Sequence, residues 1–125
     1  MSQEKLSKQI HDFEVKYRFF SIDEGGREIG APFQDYRCDW AYEGDDIKKT
    51  GIYMIYPEFV DNDGNVLEKN VQVPAEGFAR MWILNKELRK MIHKTRIKIG
   101  TKGFFMEGNE HVAEAKVTRI VRLQS

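Results

Sequence analysis

Phe13-Glu14-Val15-Lys16-Tyr17-Arg18-Phe19 alternates apolar and charged side chains without a break. Successive side chains of an extended strand point to opposite faces, so this pattern predicts a strand with one buried face. The run ends at Asp23-Glu24-Gly25-Gly26, whose glycines permit the positive φ of a tight turn. Alternation resumes with Tyr36, Cys38, Trp40 and Tyr42, predicting a second strand over 35–42. Residues 51–60 are apolar on both faces, as in a more fully buried strand, with Pro57 near an edge or bulge. Asp61-Asn62-Asp63-Gly64 is a hairpin signal, after which 66–73 returns as a strand. Further strands are expected over 78–84 and 95–99, the latter with Ile97 and Ile99 inward. A closing hairpin is expected from Phe104-Phe105-Met106 through Gly108-Asn109 into 112–123. Leu84, Leu88 and Met91 or Ile92 recur at helical spacing, which predicts a short helical turn near 86–93.

Together these elements predict an all-β fold, a closed antiparallel barrel of about six strands filling one domain, 13–125. Residues 1–12 read as an N-terminal arm or short helix, because Leu6, Ile10 and Phe13 have helical spacing. A chain of 125 residues fits one domain, and 41% apolar residues suffice for its core. No run approaches the ~18 consecutive apolar residues of a membrane span. The polar N-terminus lacks the apolar core of a signal peptide, and the single Cys38 has no internal disulfide partner. A cytoplasmic protein is expected.

The formal net charge of zero hides an asymmetry. Residues 1–76 carry 9 Lys and Arg against 16 Asp and Glu, whereas residues 77–125 carry 11 against 4. Strands from both halves interleave in a barrel, so the split is expected to blur in space; a head-to-tail homodimer stays open. The segment 80–102 is the most basic, with eight cations (among them Arg89, Lys90, Lys94, Arg96 and Lys98) against one anion, Glu87. Such a run either neutralises phosphates, with Trp82 stacking, or forms a solvated face over a buried Trp82.

Catalytic chemistry is hard to assemble. His11, His93 and His111 lie far apart and read as surface residues without metal-ligand spacing. Cys38, at alternate spacing with Tyr36 and Trp40, reads as a small buried hydrophobe. The loop beginning at Asp61 lacks the glutamate that a calcium loop carries at its twelfth position, where Gln72 stands. No catalytic residue, cofactor or metal is expected.

The run from Phe13 through Ser21-Ile22-Asp23-Glu24-Gly25-Gly26-Arg27 resembles the opening strand and turn of the third domain of elongation factor Tu. Pro32-Phe33 and Tyr36-Arg37 are similar to that family's next elements. Phe105-Met106-Glu107-Gly108-Asn109, leading into Val112 and 117–121, is similar to its last hairpin. The resemblance covers 13–42 and 104–122. It implies a six-stranded antiparallel barrel whose first and last motifs meet. Arg27 and Arg37 would then pin the loop or serve a contact face. In elongation factor Tu that last hairpin helps to hold the T stem of tRNA. Here Asn109-Glu110-His111 stands where the family has Gly-Arg-Thr, and Cys38 stands where it has Pro. An anion replaces a cation, which disfavours tRNA in the family's manner. With no G-x-x-x-x-G-K-[ST] loop, no GTP binding is expected. The expected function is a stand-alone, non-catalytic binding module with an unknown protein partner. RNA binding through 80–102 is the alternative, and an unrecognised small hydrolase the third.

Overall fold

The computed structural model describes residues 10–123, so Leu6 and most of the arm 1–12 lie outside the described residues. Six strands form one antiparallel sheet: β1 (Phe13–Phe19), β2 (Asp39–Tyr42), β3 (Ile55–Val60), β4 (Glu76–Ile83), β5 (Lys102–Glu107) and β6 (Glu110–Ile120). Their order is β2-β5-β6-β1-β4-β3. The chain's opening strand thus lies between its closing strand and β4, with Tyr17 opposite both Ala115 and Gly77.

The alternation of β1 is obeyed without exception. Phe13, Val15, Tyr17 and Phe19 are buried, whereas Glu14, Lys16 and Arg18 face outward. Inside the curl, Tyr17 packs edge-on to Phe59 at 5.1 Å and Trp40 edge-on to Phe13 at 5.7 Å. Small residues on facing strands make room for these rings. Ala113 and Ala115 stand on β6, and Gly103 stands on β5 under the Trp40 indole.

The sheet curls into a half-barrel; the closed barrel expected from sequence is not formed. β2 and β3 are edges, and across the gap only Trp40 and Tyr53 exchange backbone hydrogen bonds, at 2.9 and 2.8 Å. The cause lies at the free edge of β3. Pro57 has no N–H to offer. The buried Gln34 carboxamide occupies Phe59, accepting from its N–H at 2.8 Å and donating to its carbonyl at 2.7 Å. A side chain thereby takes the place that a neighbouring strand would fill.

Other expectations shift for similar local reasons. Strand β2 is four residues rather than eight, because 32–36 turns to pair with 71–73: Val73 N–H donates to Pro32 at 2.8 Å. Residues 66–73 form only isolated bridges, Val66 with Val60 and Gln72 with Phe33. Residues 95–99 are not a strand. A helix α1 (Ile47–Thr50) follows β2, and the helical turn foreseen near 86–93 runs on as α2, 86–96. Asn85 caps α2, its Oδ1 accepting from the amides of Glu87 and Leu88 at 3.0 Å. At its centre Lys94 N–H donates to the Arg89 carbonyl five residues back, a π turn, and Arg89 and His93, four residues apart, both face inward. Beyond it Ile97 is buried as expected, but Ile99 is 73% exposed.

His93 is therefore a core residue, not a surface one. Its Nδ1 lies 2.6 Å from the Tyr42 hydroxyl, and its ring meets Tyr53 edge-on at 4.8 Å. Burial, reinforced by Arg96 and opposed by Asp12, pushes its pKa down to about 4. The unfolded imidazole keeps the ordinary value near 6.5, so the unfolded chain takes up the proton first. Stability is then intact above pH ~6.5 and falls as pH drops towards ~4, by up to about 3 kcal/mol. Urea denaturation across that range checks this, and His93→Gln should flatten the slope.

The charge asymmetry of the sequence survives in space, contrary to the expected blurring. It lies along the barrel axis. The loops 43–54 and 84–101 share one end and carry eight Lys and Arg against four Asp and Glu. The loops 20–38 and 61–75 share the other and carry three against seven. No helix among the described residues is long and apolar enough to cross a membrane.

Candidate functional site

The acidic end is built on the loop that follows β1. Ser21 opens a single 3₁₀ turn, Ile22–Glu24, with its amide bonded to the Glu24 carboxylate at 2.9 Å. Gly25 takes the left-handed conformation at φ 89°, and a β-carbon on Gly26 would stand 2.0 Å from the Phe20 carbonyl oxygen. Arg18 grips Glu24 with two bonds of 2.9 Å and Glu114 with a third. That double hydrogen bond holds the Glu24 carboxyl down to about 2.

Arg27 fixes the second half of the loop. Its Nε lies 2.8 Å from a Glu107 carboxylate oxygen, Nη1 donates to the Gly30 carbonyl at 2.9 Å, and the guanidinium covers the Tyr36 ring at 5.0 Å. The Tyr36 hydroxyl donates to the same Glu107 oxygen. An arginine, a tyrosine and a carboxylate from the β5–β6 hairpin thus tie the opening loop to the closing hairpin.

What this scaffold presents is apolar. Ile29 is 80% exposed, Ile22 63%, Phe33 52% and Val71 39%. Two shallow hollows, of about 460 and about 260 Å³, share Arg27 and Ile29. The first reaches Ile22 and Glu110, and the second reaches Phe33 and Gln72. Ile22, Ile29 and Phe33 therefore border one continuous surface, and Val71 stands beside Gln72 at its margin. Its free charges are mostly negative: Asp23, Glu28, Asp35 and Glu110 are all exposed. Isolated exposed apolar residues mean little, but Ile22, Ile29 and Phe33 stand on one loop and make an exposed apolar patch.

The other residues singled out from sequence fall into three groups. Asn109 is exposed at the hairpin tip of the acidic end, and Arg37 lies on its flank with its guanidinium 4.4 Å above the Tyr56 ring. Lys90, Lys94 and Lys98 are exposed at the basic end, with no ion-pair partner among the described residues. Arg89 and Arg96 are engaged within the fold. Arg89 is buried and its Nε donates to Asp12 at 2.8 Å, while Arg96 makes two bonds to Asp45, at 2.9 and 3.0 Å, and covers Tyr42. Of five basic-segment residues selected for phosphate, two hold the protein together instead.

Cys38 is buried as expected, and desolvation pushes its thiol far up, away from the range of a nucleophile. Trp82 is half-buried on the outer face, its Nε1 donating to Glu58 at 3.3 Å and its ring 6.2 Å from His11. Sequence reasoning missed Ile22, Ile29 and Val71. Each is a lone apolar residue in a polar loop, and only the fold brings them together. No family model matches the chain, and no curated protein matches it.

Proposed function

We propose that this domain is a non-catalytic binding module whose acidic end docks on a protein with a basic, apolar-pocketed surface. The carrying observation is the exposed set Ile22, Ile29 and Phe33 on a loop pinned by Arg27, Glu107 and Tyr36, with Val71 on the neighbouring segment that bonds to it through Gln34. A preformed loop loses little conformational freedom on binding, so its apolar side chains act as anchors at low cost. The rim of Asp23, Glu28, Asp35 and Glu110 selects for lysine and arginine on the partner and against phosphate. The kinship proposed with the third domain of elongation factor Tu agrees with this placement. The end concerned joins the opening motif to the closing hairpin, and β1 pairs with β6 there. RNA binding through 80–102 is the weaker reading, because Arg89 and Arg96 are taken up internally.

Affinity capture from native cell extract after RNase treatment tests the proposal, with wild-type and Ile29→Asp/Phe33→Asp baits compared side by side. Both positions are exposed, so the double variant should keep its stability within about 0.5 kcal/mol per site. Its partner should be lost, with affinity down at least ~30-fold if these are hot-spot side chains. A partner held equally by both baits would reject this surface.

A further inference from the structure

The outer face of the sheet carries a row of charge that the rest of that face avoids. Going across the strands, Lys102 on β5 stands opposite Lys116 on β6, which stands opposite Lys16 on β1. All three are exposed, and none has an ion-pair partner among the described residues. Like charges placed directly opposite one another in a sheet repel. The neighbouring rows show the ordinary solution. On one side Glu114 faces Arg18 and bonds it at 2.9 Å; on the other Glu14 faces Arg119, with 3.6 Å between their charged atoms. Only the middle row repeats one sign three times.

The row borders a hollow of about 280 Å³ that also takes in Phe104, two residues beyond Lys102 on the same face. In the other direction Lys16 stands opposite Phe78, which is 40% exposed. Carboxylates share the hollow: Glu114 and Glu76 stand one row nearer the acidic end, either side of Arg18, and Glu43 stands at the β2 side. Strand spacing puts the three lysines along about 10 Å. A line of ammonium groups with an aromatic ring beside each end fits an extended strand of phosphates whose bases stack at the flanks. We infer that Lys16, Lys102 and Lys116 form a binding site for the phosphodiester backbone of a single-stranded nucleic acid. The site is separate from the acidic end and does not depend on its proposed partner.

Fluorescence anisotropy of a labelled, mixed-sequence oligonucleotide, titrated at several salt concentrations, tests this. Three neutralised phosphates predict a slope of log affinity against log salt of about −2, and Lys116→Gln should make it shallower by about 0.7. RNA and DNA versions should bind alike, since ammonium groups reading phosphate ignore the 2′-hydroxyl. Removing the central lysine should also raise the unfolding temperature, because repulsion is relieved. The triple variant Lys16→Gln/Lys102→Gln/Lys116→Gln should not bind. A slope unchanged by these substitutions would overturn the site. So would polyglutamate competing as well as the oligonucleotide, which would indicate an acidic protein as occupant. A Lys116→Gln protein no more stable than wild type would remove the premise that the row is strained for binding.

Discussion

Asp12→Ala should cost about 3–5 kcal/mol of stability, the range for breaking a buried ion pair by removing one partner. Asp12 is almost wholly buried and joins four parts of the chain. Its amide donates to Met81 at 2.9 Å, and its carboxylate accepts from Ile83 N–H at 2.8 Å and from Arg89 Nε at 2.8 Å. Its carbonyl accepts from Val121 and Arg122 at 3.0 and 3.1 Å. Arg89 in turn donates to the Arg122 carbonyl. The start of β1, the end of β4, helix α2 and the chain's return after β6 therefore meet at one residue. Deleting its side chain removes the Nε–carboxylate bond of a guanidinium whose side chain is only 11% exposed, and also orphans the Ile83 amide. Adding Arg89→Met should cost less than it does in the wild-type background, because the bond to Asp12 is already gone. Urea-unfolding midpoints of the two single variants and the double variant measure this. A double variant as unstable as the sum of the singles would show that the pair does not act as a unit.

Trp40→Ala should cost a similar amount, about 3–5 kcal/mol, by emptying the largest fully buried side chain of the core. Trp40 also accounts for a glycine. An added β-carbon at Gly103 would lie 2.3 Å from Cζ2 of the indole, so Gly103→Ala should cost about 1–3 kcal/mol by overpacking. The two positions are coupled, and the coupling has a specific sign. Trp40 Nε1 has no hydrogen-bond partner among the described residues, so Trp40→Phe sacrifices no bond and shortens the ring that meets Gly103. Gly103→Ala should thus cost markedly less in the Trp40→Phe background. Equal costs in both backgrounds would mean that the indole does not enforce the glycine.

The sheet was legible wherever one face of a strand is wet. In β1 and in the closing hairpin, polar residues mark the outer face and the period of two is unambiguous. Legibility failed where a side chain replaced a backbone partner. Residues 66–73 have strand-like composition, but the edge they would pair with is held by Gln34, whose role depends on a contact 25 residues away in the chain. Residues 95–99 alternate as a strand would, yet α2 continues through Arg96, with Arg89 and His93 buried four residues apart on its inner face. The buried charges were equally hidden. Nothing local separates Arg89 from Lys90; its partners Asp12, 77 residues distant, and Arg122, 33 residues distant, hold it in the core.

The proposed binding surfaces divide along the same line. Arg27 stood out in the opening motif, and the structure shows it tying the loop down. Ile22, Ile29, Phe33 and Val71 carry no periodic signal, since loops have none, so their convergence follows only from tertiary pairing such as Phe33 with Gln72. The lysine row is of the same kind. Lys16, Lys102 and Lys116 come from three strands, and their alignment is a property of register alone.

On the function proposed, a protein partner meets the acidic end of the domain and not the basic one. Amide chemical-shift mapping of the isotope-labelled domain, titrated with the protein captured by the wild-type bait, decides this most directly. Perturbations should concentrate at Ile22, Ile29, Phe33, Val71 and the Gly108-Asn109 tip, leaving Lys90, Lys94 and Lys98 unmoved. Shifts centred on α2 with a silent 22–36 loop would contradict it.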